Sequence, residues 1–313
     1  MRRTLKIISW TLLSAAIIAV CIVRWQAWFG MPDEPRWTGD TITFHMPTFA
    51  DDSVPGFVRF DSGWQDRQTP ATLNILLLGD IHSQLRQADY DSLAKRVPGA
   101  EMIVQTGDWM DRGQEYYHQL LLREWRGSGL SGLPVVVCPG NHEYSKGLVK
   151  RLSPVWQETF GESNYWVDYP NMRLIVMDTN PLDRLVHVTR TLTWLRQAMY
   201  TADGRFIVVV MHHPVLPAAK GRFYPLIYGA FRHALGEADL VIAGHDHLYQ
   251  RRMPFVNLNS AGKPKQPQQW IACECATDEP VYAVLTVRAS QLCLRTYRMR
   301  DGQLIDRVYV KHD

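Results

Sequence analysis

Cysteine is scarce in this chain, with five in 313 residues. That is far below the density of a disulfide-stapled scaffold, so the fold has to rest on an ordinary core. Cys21 sits in a leading apolar stretch, Cys138 follows an apolar run, and Cys273 and Cys275 alternate along "WIACECA". An i, i+2 pair rarely meets disulfide geometry, and buried free thiols are the expectation. A surplus of charge of one sign is also missing: 34 Lys and Arg stand against 31 Asp and Glu. Four of those bases, Arg2, Arg3, Lys6 and Arg24, belong to a leading segment without acids, which leaves 30 against 31 in the rest. No nucleic-acid-binding signature is present in such a balance. Repeats and low-complexity tracts are lacking too. With 46% hydrophobic and 21% charged residues, the chain has the composition of a globular protein of one large domain or two small ones.

Long uncharged runs are equally rare, and the one that exists is informative. Ile7 to Val23 is seventeen residues without a charge, at the short end of what a helix needs to cross a bilayer. Trp25, Trp28 and Phe29 follow it, which suits an interfacial aromatic belt better than a cleavage site. Residues 1–24 are therefore expected to form an N-terminal membrane anchor, with a cleaved signal sequence and a buried core helix as alternatives. Three bases before the span and one after place the N-terminus in the cytoplasm. The expected location is the cell membrane, single-pass, with the folded domain on the non-cytoplasmic side; cleavage would make it secreted or periplasmic. Residues 25–71, carrying Pro32, Pro35, Pro47, Pro55 and Pro70, read as a tether with a possible edge strand. The folded domain is expected over 72–313.

From Leu73 the pattern becomes regular. The runs "LNILLLGD", "EMIVQTGD", "LPVVVCPGNHE", "MRLIVMD", "RFIVVVMHHP" and "ADLVIAGHDH" are near-continuously apolar, as strands buried on both faces are. Helices are predicted between them around 88–97, 114–126, 145–160, 189–200 and 223–235. The stretches "WIACECA", "VYAVLTVRA", "QLCLRTYRM" and "LIDRVYV" read as consecutive strands. The class is α/β with a largely buried sheet.

Polar residues concentrate where the runs end: Asp80 and His82, Asp108, Asn141 and His142, His212 and His213, His245 and His247. Carboxyl ends of strands form the ligand crevice of open α/β sheets, so five loops are expected to converge. Alternation along an extended chain would put Asp80 and His82 on one side, with Gly79 leaving room for the backbone to turn. Two Asp, an Asn and several imidazoles, with no thiolate, suit divalent Mn, Fe or Zn rather than a structural cysteine-bound zinc. The donors outnumber what one four-coordinate ion takes, which points to two divalent metal ions.

The set "GD-x-H" (Gly79, Asp80, His82), "GD-x-x-DRG" (Gly107 to Gly113), "GNHE" (Gly140 to Glu143), "MHHP" and "GHDH" (Gly244 to His247) resembles, in order and content, the calcineurin-like metallophosphoesterases. The resemblance covers about residues 73 to 250. It implies a four-layer α/β/β/α sandwich of two mixed sheets flanked by helices, with the C-terminal strands supplying much of the second sheet. It implies that Asp80, His82 and His247 hold one metal, that Asn141, His212 and His245 hold the other, and that Asp108 bridges them. It further implies hydrolysis of a phosphomonoester or phosphodiester by attack of a metal-bridging hydroxide, with His142 as general acid. Arg112, whose planar fork can hold two phosphate oxygens, is the candidate cation for the substrate, against a salt bridge to Asp111 or a nearby acid. His213 is expected to face substrate or support a ligand, because the neighbour of a strand-end ligand points the other way. Asp178 is expected to be structural, and Tyr144 and Tyr249 to make rim contacts.

Two departures bear on substrate. "GDIHSQ", "GDWMDRG" and "GNHE" look like the serine/threonine protein phosphatase branch, except that Ser83 stands where Gly is usual. "MHHP" and "GHDHLYQR" look like the small-substrate and purple-acid-phosphatase-like branches. The motifs offer no tyrosine ligand, so no tyrosinate-to-iron colour is expected. A protein phosphatase-like enzyme and a non-catalytic metal-binding interaction protein are the alternatives; the latter predicts a lost ligand position, and all are present.

Overall fold

The computed structural model describes residues 72–145, 151–180, 185–215, 224–265 and 273–312. The expected anchor at 1–24 and tether at 25–71 lie outside the described residues, and no helix among the described ones is long and apolar enough to cross a membrane.

The apolar run before "GD" forms β1 (Thr72–Leu78). Its alternation serves two faces: Ile75 and Leu77 pack with residues of both sheets, whereas Leu76 and Leu78 pack under helices. Full burial of each such side chain contributes about 1.5–3 kcal/mol. On one side β1 pairs in parallel with β2 (Met102–Gln105), which pairs in parallel with β3 (Val135–Val137). On the other side β1 pairs antiparallel with β11 (Val281–Arg288), followed outward by β12 (Gln291–Arg298) and β13 (Leu304–Lys311). The six-stranded sheet is thus ordered β13-β12-β11-β1-β2-β3.

The second sheet has seven strands. Its parallel centre is β5 (Met172–Met177), β6 (Phe206–Met211) and β7 (Leu240–Ala243). Strand β4 (Tyr165–Asp168) closes one edge; β9 (Phe255–Asn257), β8 (Tyr249–Arg252) and β10 (Cys275–Thr277) extend the other. Helices α1 (Gln87–Arg96), α2 (Glu115–Trp125) and α3 (Pro154–Phe160) follow the strands of the first sheet. Helices α4 (Leu185–Tyr200) and α5 (Tyr224–Leu235) follow β5 and β6. One apolar cluster joins both sheets, a second joins the first sheet to α1, α2 and α3, and a third joins the second sheet to its helices. This is a mixed α/β fold with two mixed sheets, consistent with the expected sandwich.

Several expectations need correction. The C-terminal strands β11, β12 and β13 do not build the second sheet; they extend the first, because β11 lies antiparallel against β1 from Thr72↔Arg288 to Leu77↔Ala283. The second sheet is completed instead by β4, β8 and β9, strands of three or four residues too short to show a period. Of the helix predicted over 145–160, residues 146–150 lie outside the described residues, and the described helix begins at Pro154. Ser153 caps it, accepting from the Trp156 amide, and proline suits the first helical turn. Before it, Tyr144 and Leu152 form an isolated antiparallel bridge. Of the thiols, Cys138 is buried as expected, while Cys273, Cys275 and Cys293 are half-buried; all four are free.

Candidate metal centre and active site

The carboxyl ends of β1, β2, β3, β6 and β7 meet at one place, and their loops turn by an unusual device. Asp80, His82, Ser83, Asp108, His245 and His247 all have positive φ, from 46° to 72°. Non-glycine residues seldom adopt that region, and it is strained enough to gather where function requires it. Asp80 and His82 therefore converge through a left-handed loop and not through strand alternation. The loop is held because the amides of Asp80, His82 and Ser83 donate to the carbonyls of Gly107, Asp108 and Trp109. Gly79 is required for close packing, since a Cβ there would meet Thr106 Oγ1 at 2.6 Å. Gly140 is needed for the same reason, since a Cβ there would overlap Asp108 Oδ1.

Asp80, His82, Asp108, His212 and His247 are each at most 2% exposed. Asp108 is central: its Oδ2 lies 3.3 Å from His212 Nε2, 3.6 Å from His82 Nε2 and 4.0 Å from His142 Nε2. On one side of it His82 Nε2 and His247 Nε2 face each other at 2.9 Å, and His247 Nε2 is 3.3 Å from Asp80 Oδ1. On the other side His212 Nε2 is 3.1 Å from Asn141 Oδ1, and the His245 ring packs at 5.1 Å from that of His212. The backbone amide of His245 donates to both Asp80 oxygens.

The tautomers follow from the partners. A carbonyl oxygen only accepts, so His212 Nδ1, 3.0 Å from Thr106 O, and His247 Nδ1, against Lys263 O, each carry a proton. Their Nε2 lone pairs are then aimed at other acceptors, carboxylate and amide oxygens. A pocket of converging acceptors calls for a cation, and imidazoles oriented by backbone carbonyls are how proteins present nitrogen to metals. Asp80, His82, Asp108 and His247 bring ligand atoms within 4.8 Å of one another, as do His212, His213 and His245. The donor set, oxygen and imidazole without thiolate, fits divalent ions.

With no cation bound, the rings differ in charge. Burial lowers His82 to about 4, so its imidazole is neutral at pH 7. Burial opposes charge on His212 as well, yet the Asp108 carboxylate beside it prevails and raises it to about 9, so its Nε2 holds a proton that a metal would have to displace. Burial likewise opposes charge on Asp108, but its contacts with His212, His142 and His82 hold its carboxyl far below the usual range.

Glu143 is a residue whose part the sequence did not disclose. It is buried beneath the site and accepts from the backbone amides of Asp108 (2.9 Å), Met110 (2.9 Å) and Gly140 (2.7 Å). Burial and the nearby Asp108 charge push its carboxyl up to about 8, and the Met110 and Gly140 amides oppose the rise.

The remaining predicted residues are brought near in different ways. His142 is partly exposed; its Nδ1 faces the Asp111 carbonyl and its Nε2 the site. Arg112 is exposed at the mouth. Asp111 is turned away from it, toward Lys263 Nζ at 3.4 Å and His82 Nδ1 at 3.6 Å, so the alternative salt bridge is not formed. His213 does not point away: its ring lies 4.4 Å from that of His245, and Nδ1 pairs with Thr179 Oγ1 at 2.7 Å. Asp178 is buried and accepts from Tyr144 Oη and the Asn180 side chain, a structural part as expected. Tyr249 is not at the rim. It is buried between the sheets, donating to Asp306 of β13 at 2.7 Å. Beside the site opens a cavity of about 840 Å3, lined by Arg112, Asn141, His142, Tyr144, Arg151 and Gln157 among others.

The family model described as calcineurin-like phosphoesterase matches residues 73–249, more than half of the chain, and the chain belongs to that family. None of the curated proteins matches it. Among solved structures it is similar to the purple acid phosphatase PPD1 of yellow lupin, Lupinus luteus (12% identity, TM-score 0.55, 78% of this chain and 55% of that one). The chain thus spans about half the length of the lupin protein. It is also similar to GAP50, the anchor in the inner membrane complex of Plasmodium (15% identity, TM-score 0.55, 77% and 89%). A third likeness is to PhoD (12% identity, TM-score 0.50, 77% and 68%). At these identities the likeness is one of fold.

Proposed function

We propose that this chain is a metal-dependent phosphoesterase that hydrolyses a phosphomonoester or phosphodiester. The observation that carries the reading is the convergence of imidazole nitrogens and carboxylate oxygens, His82 Nε2 against His247 Nε2 at 2.9 Å, around a buried Asp108. Asp80, His82 and His247 would hold one divalent ion and Asn141, His212 and His245 the other, with Asp108 shared. Two such ions, when bound, lower the pKa of water and polarise phosphoryl oxygens. The chain's own residues do the rest. Thr106 O and Lys263 O fix the ring faces of His212 and His247, and Glu143 anchors the backbone that carries Asp108. His142 is oriented by the Asp111 carbonyl, which accepts from Nδ1, so that the cationic ring can give its second proton from Nε2 to the leaving oxygen, a role of general acid. Arg112 faces the cavity with its guanidinium unpaired among the described residues, which supports a part in holding phosphoryl oxygens. The test is a screen of the full chain against phosphomonoesters, linear and cyclic diesters, lipid phosphates and phosphopeptides, with Mn, Fe, Zn and Mg in turn. Metal-dependent release of phosphate or alcohol supports the reading; no turnover under any metal overturns it.

We also propose that residues 1–24 anchor the chain in the cell membrane with the domain on the non-cytoplasmic side. The uncharged Ile7–Val23 stretch and its flanking bases support this. A C-terminal reporter active only outside the cytoplasm should light up, and silence would refute the orientation.

A further inference from the structure

We infer that the cavity beside His142 is a subsite for a second anion, so that the substrate is a phosphoester whose leaving group itself carries a negative charge. The inference deepens the phosphoesterase reading and rests on it for the position of the leaving group. Two arginines line this cavity, Arg112 and Arg151. Both are exposed and neither has an ion pair among the described residues. The carboxylate among the lining residues, Asp111, is turned to Lys263 and His82. A cleft lined by two arginines that have no ion pair among the described residues is complementary to a ligand with negative charge beyond the phosphoryl group being cleaved.

The backbone holds both arginines against the turn that carries His142. Arg151 N donates to Ser145 Oγ at 3.0 Å, Ser145 N donates to Arg151 O at 2.8 Å, and Leu152 bridges Tyr144. Arg151 is thereby fixed beside the segment just after His142. Arg112 precedes Gly113, which packs so tightly on the same turn that a Cβ would meet Glu143 O at 2.8 Å. His142 marks the leaving-group side in the proposed chemistry, and Arg151 is tied by its backbone to Ser145, in the segment just after it. Arg112 is accordingly left for the transferred phosphoryl group and Arg151 for the anion on the leaving group. A cavity of about 840 Å3 is far larger than a phosphate needs and has room for that group.

The test compares phenyl phosphate with 4-carboxyphenyl phosphate, two esters of similar size that differ by one carboxylate on the leaving group. Dissociation constants measured by calorimetry on the metal-free full chain separate recognition from turnover. The carboxylated ester should bind roughly tenfold or more tightly, the range of one charge-assisted hydrogen bond. Raising the salt should shrink the preference. Arg151→Ala should abolish it and Arg151→Lys retain part of it. With metal added, the same preference should appear in KM rather than in kcat. Equal binding of the two esters, or a preference that survives Arg151→Ala, overturns the subsite. A clear preference in binding with no turnover under any metal would leave the subsite standing and count against the hydrolytic reading alone.

Discussion

His82 Nε2 and His247 Nε2 lie 2.9 Å apart, both rings buried, with the His247 Nδ1 proton given to a backbone carbonyl. Two imidazole nitrogens at that distance share either a proton or a metal. Divalent ions should therefore stabilise the fold: at a free concentration a hundredfold above Kd the gain is about 2.7 kcal/mol. Thermal unfolding with and without Mn2+ or Zn2+ measures it. His247→Ala should reduce the metal-induced rise in Tm; an unchanged rise would remove His247 from the ligand set.

Glu143 supports the site from below through three backbone amides. Glu143→Ala would leave those donors without their acceptor in a dry interior, at about 1–3 kcal/mol each. Denaturant unfolding should show a loss of several kcal/mol, and metal binding should weaken because Asp108 loses its backbone anchor. A variant as stable as the parent would contradict this.

His142 sits among the ligands without being assigned to a metal. His142→Ala should retain the metal-induced stabilisation and lower turnover about 10²–10⁴-fold, most for esters with poor leaving groups. Loss of metal binding in this variant would contradict the general-acid role and make His142 a ligand.

The apolar runs, their order and the polar residues at their ends were legible because near-continuous hydrophobic stretches and the "GD", "GNHE" and "GHDH" motifs are local signals. What was not legible depends on contacts far apart in the chain. That β11 pairs with β1 is fixed by the register Thr72↔Arg288, which no window of sequence contains. The left-handed turns at Asp80, His82 and Asp108 were hidden because they are held by amide to carbonyl bonds between two loops, which no local pattern shows. Tyr249 looked like a rim residue because it follows "GHDH", yet β8 carries it under the first sheet to Asp306. Glu143 was visible as a letter of a motif, and its three amide partners were not.

Asp306 joins the two sheets, accepting from Tyr249 Oη at 2.7 Å and from Arg251 Nε and Nη2 at 2.6 and 3.1 Å. Burial works against its charge, but these donors prevail and hold its carboxyl below the ordinary 3.8. Because the folded value is depressed, the stabilisation is complete above the unfolded pKa of 3.8 and is lost as pH falls through the lower folded one. Asp306→Asn should cost about 1.5–3 kcal/mol at pH 7, and the gap between variant and parent should narrow below pH 4. A gap that does not change with pH would show that the carboxylate charge contributes nothing.

Asp108 faces His82, His142 and His212 at once, so the whole account turns on its charge. The most direct measurement is hydrolysis of p-nitrophenyl phosphate by the full chain, stripped of metal and then titrated with Mn2+, beside Asp108→Asn. The expected result is activity that appears with metal in the parent and falls by at least about a thousandfold in the variant, roughly 4 kcal/mol of barrier. Full activity in Asp108→Asn would contradict the assignment of the site.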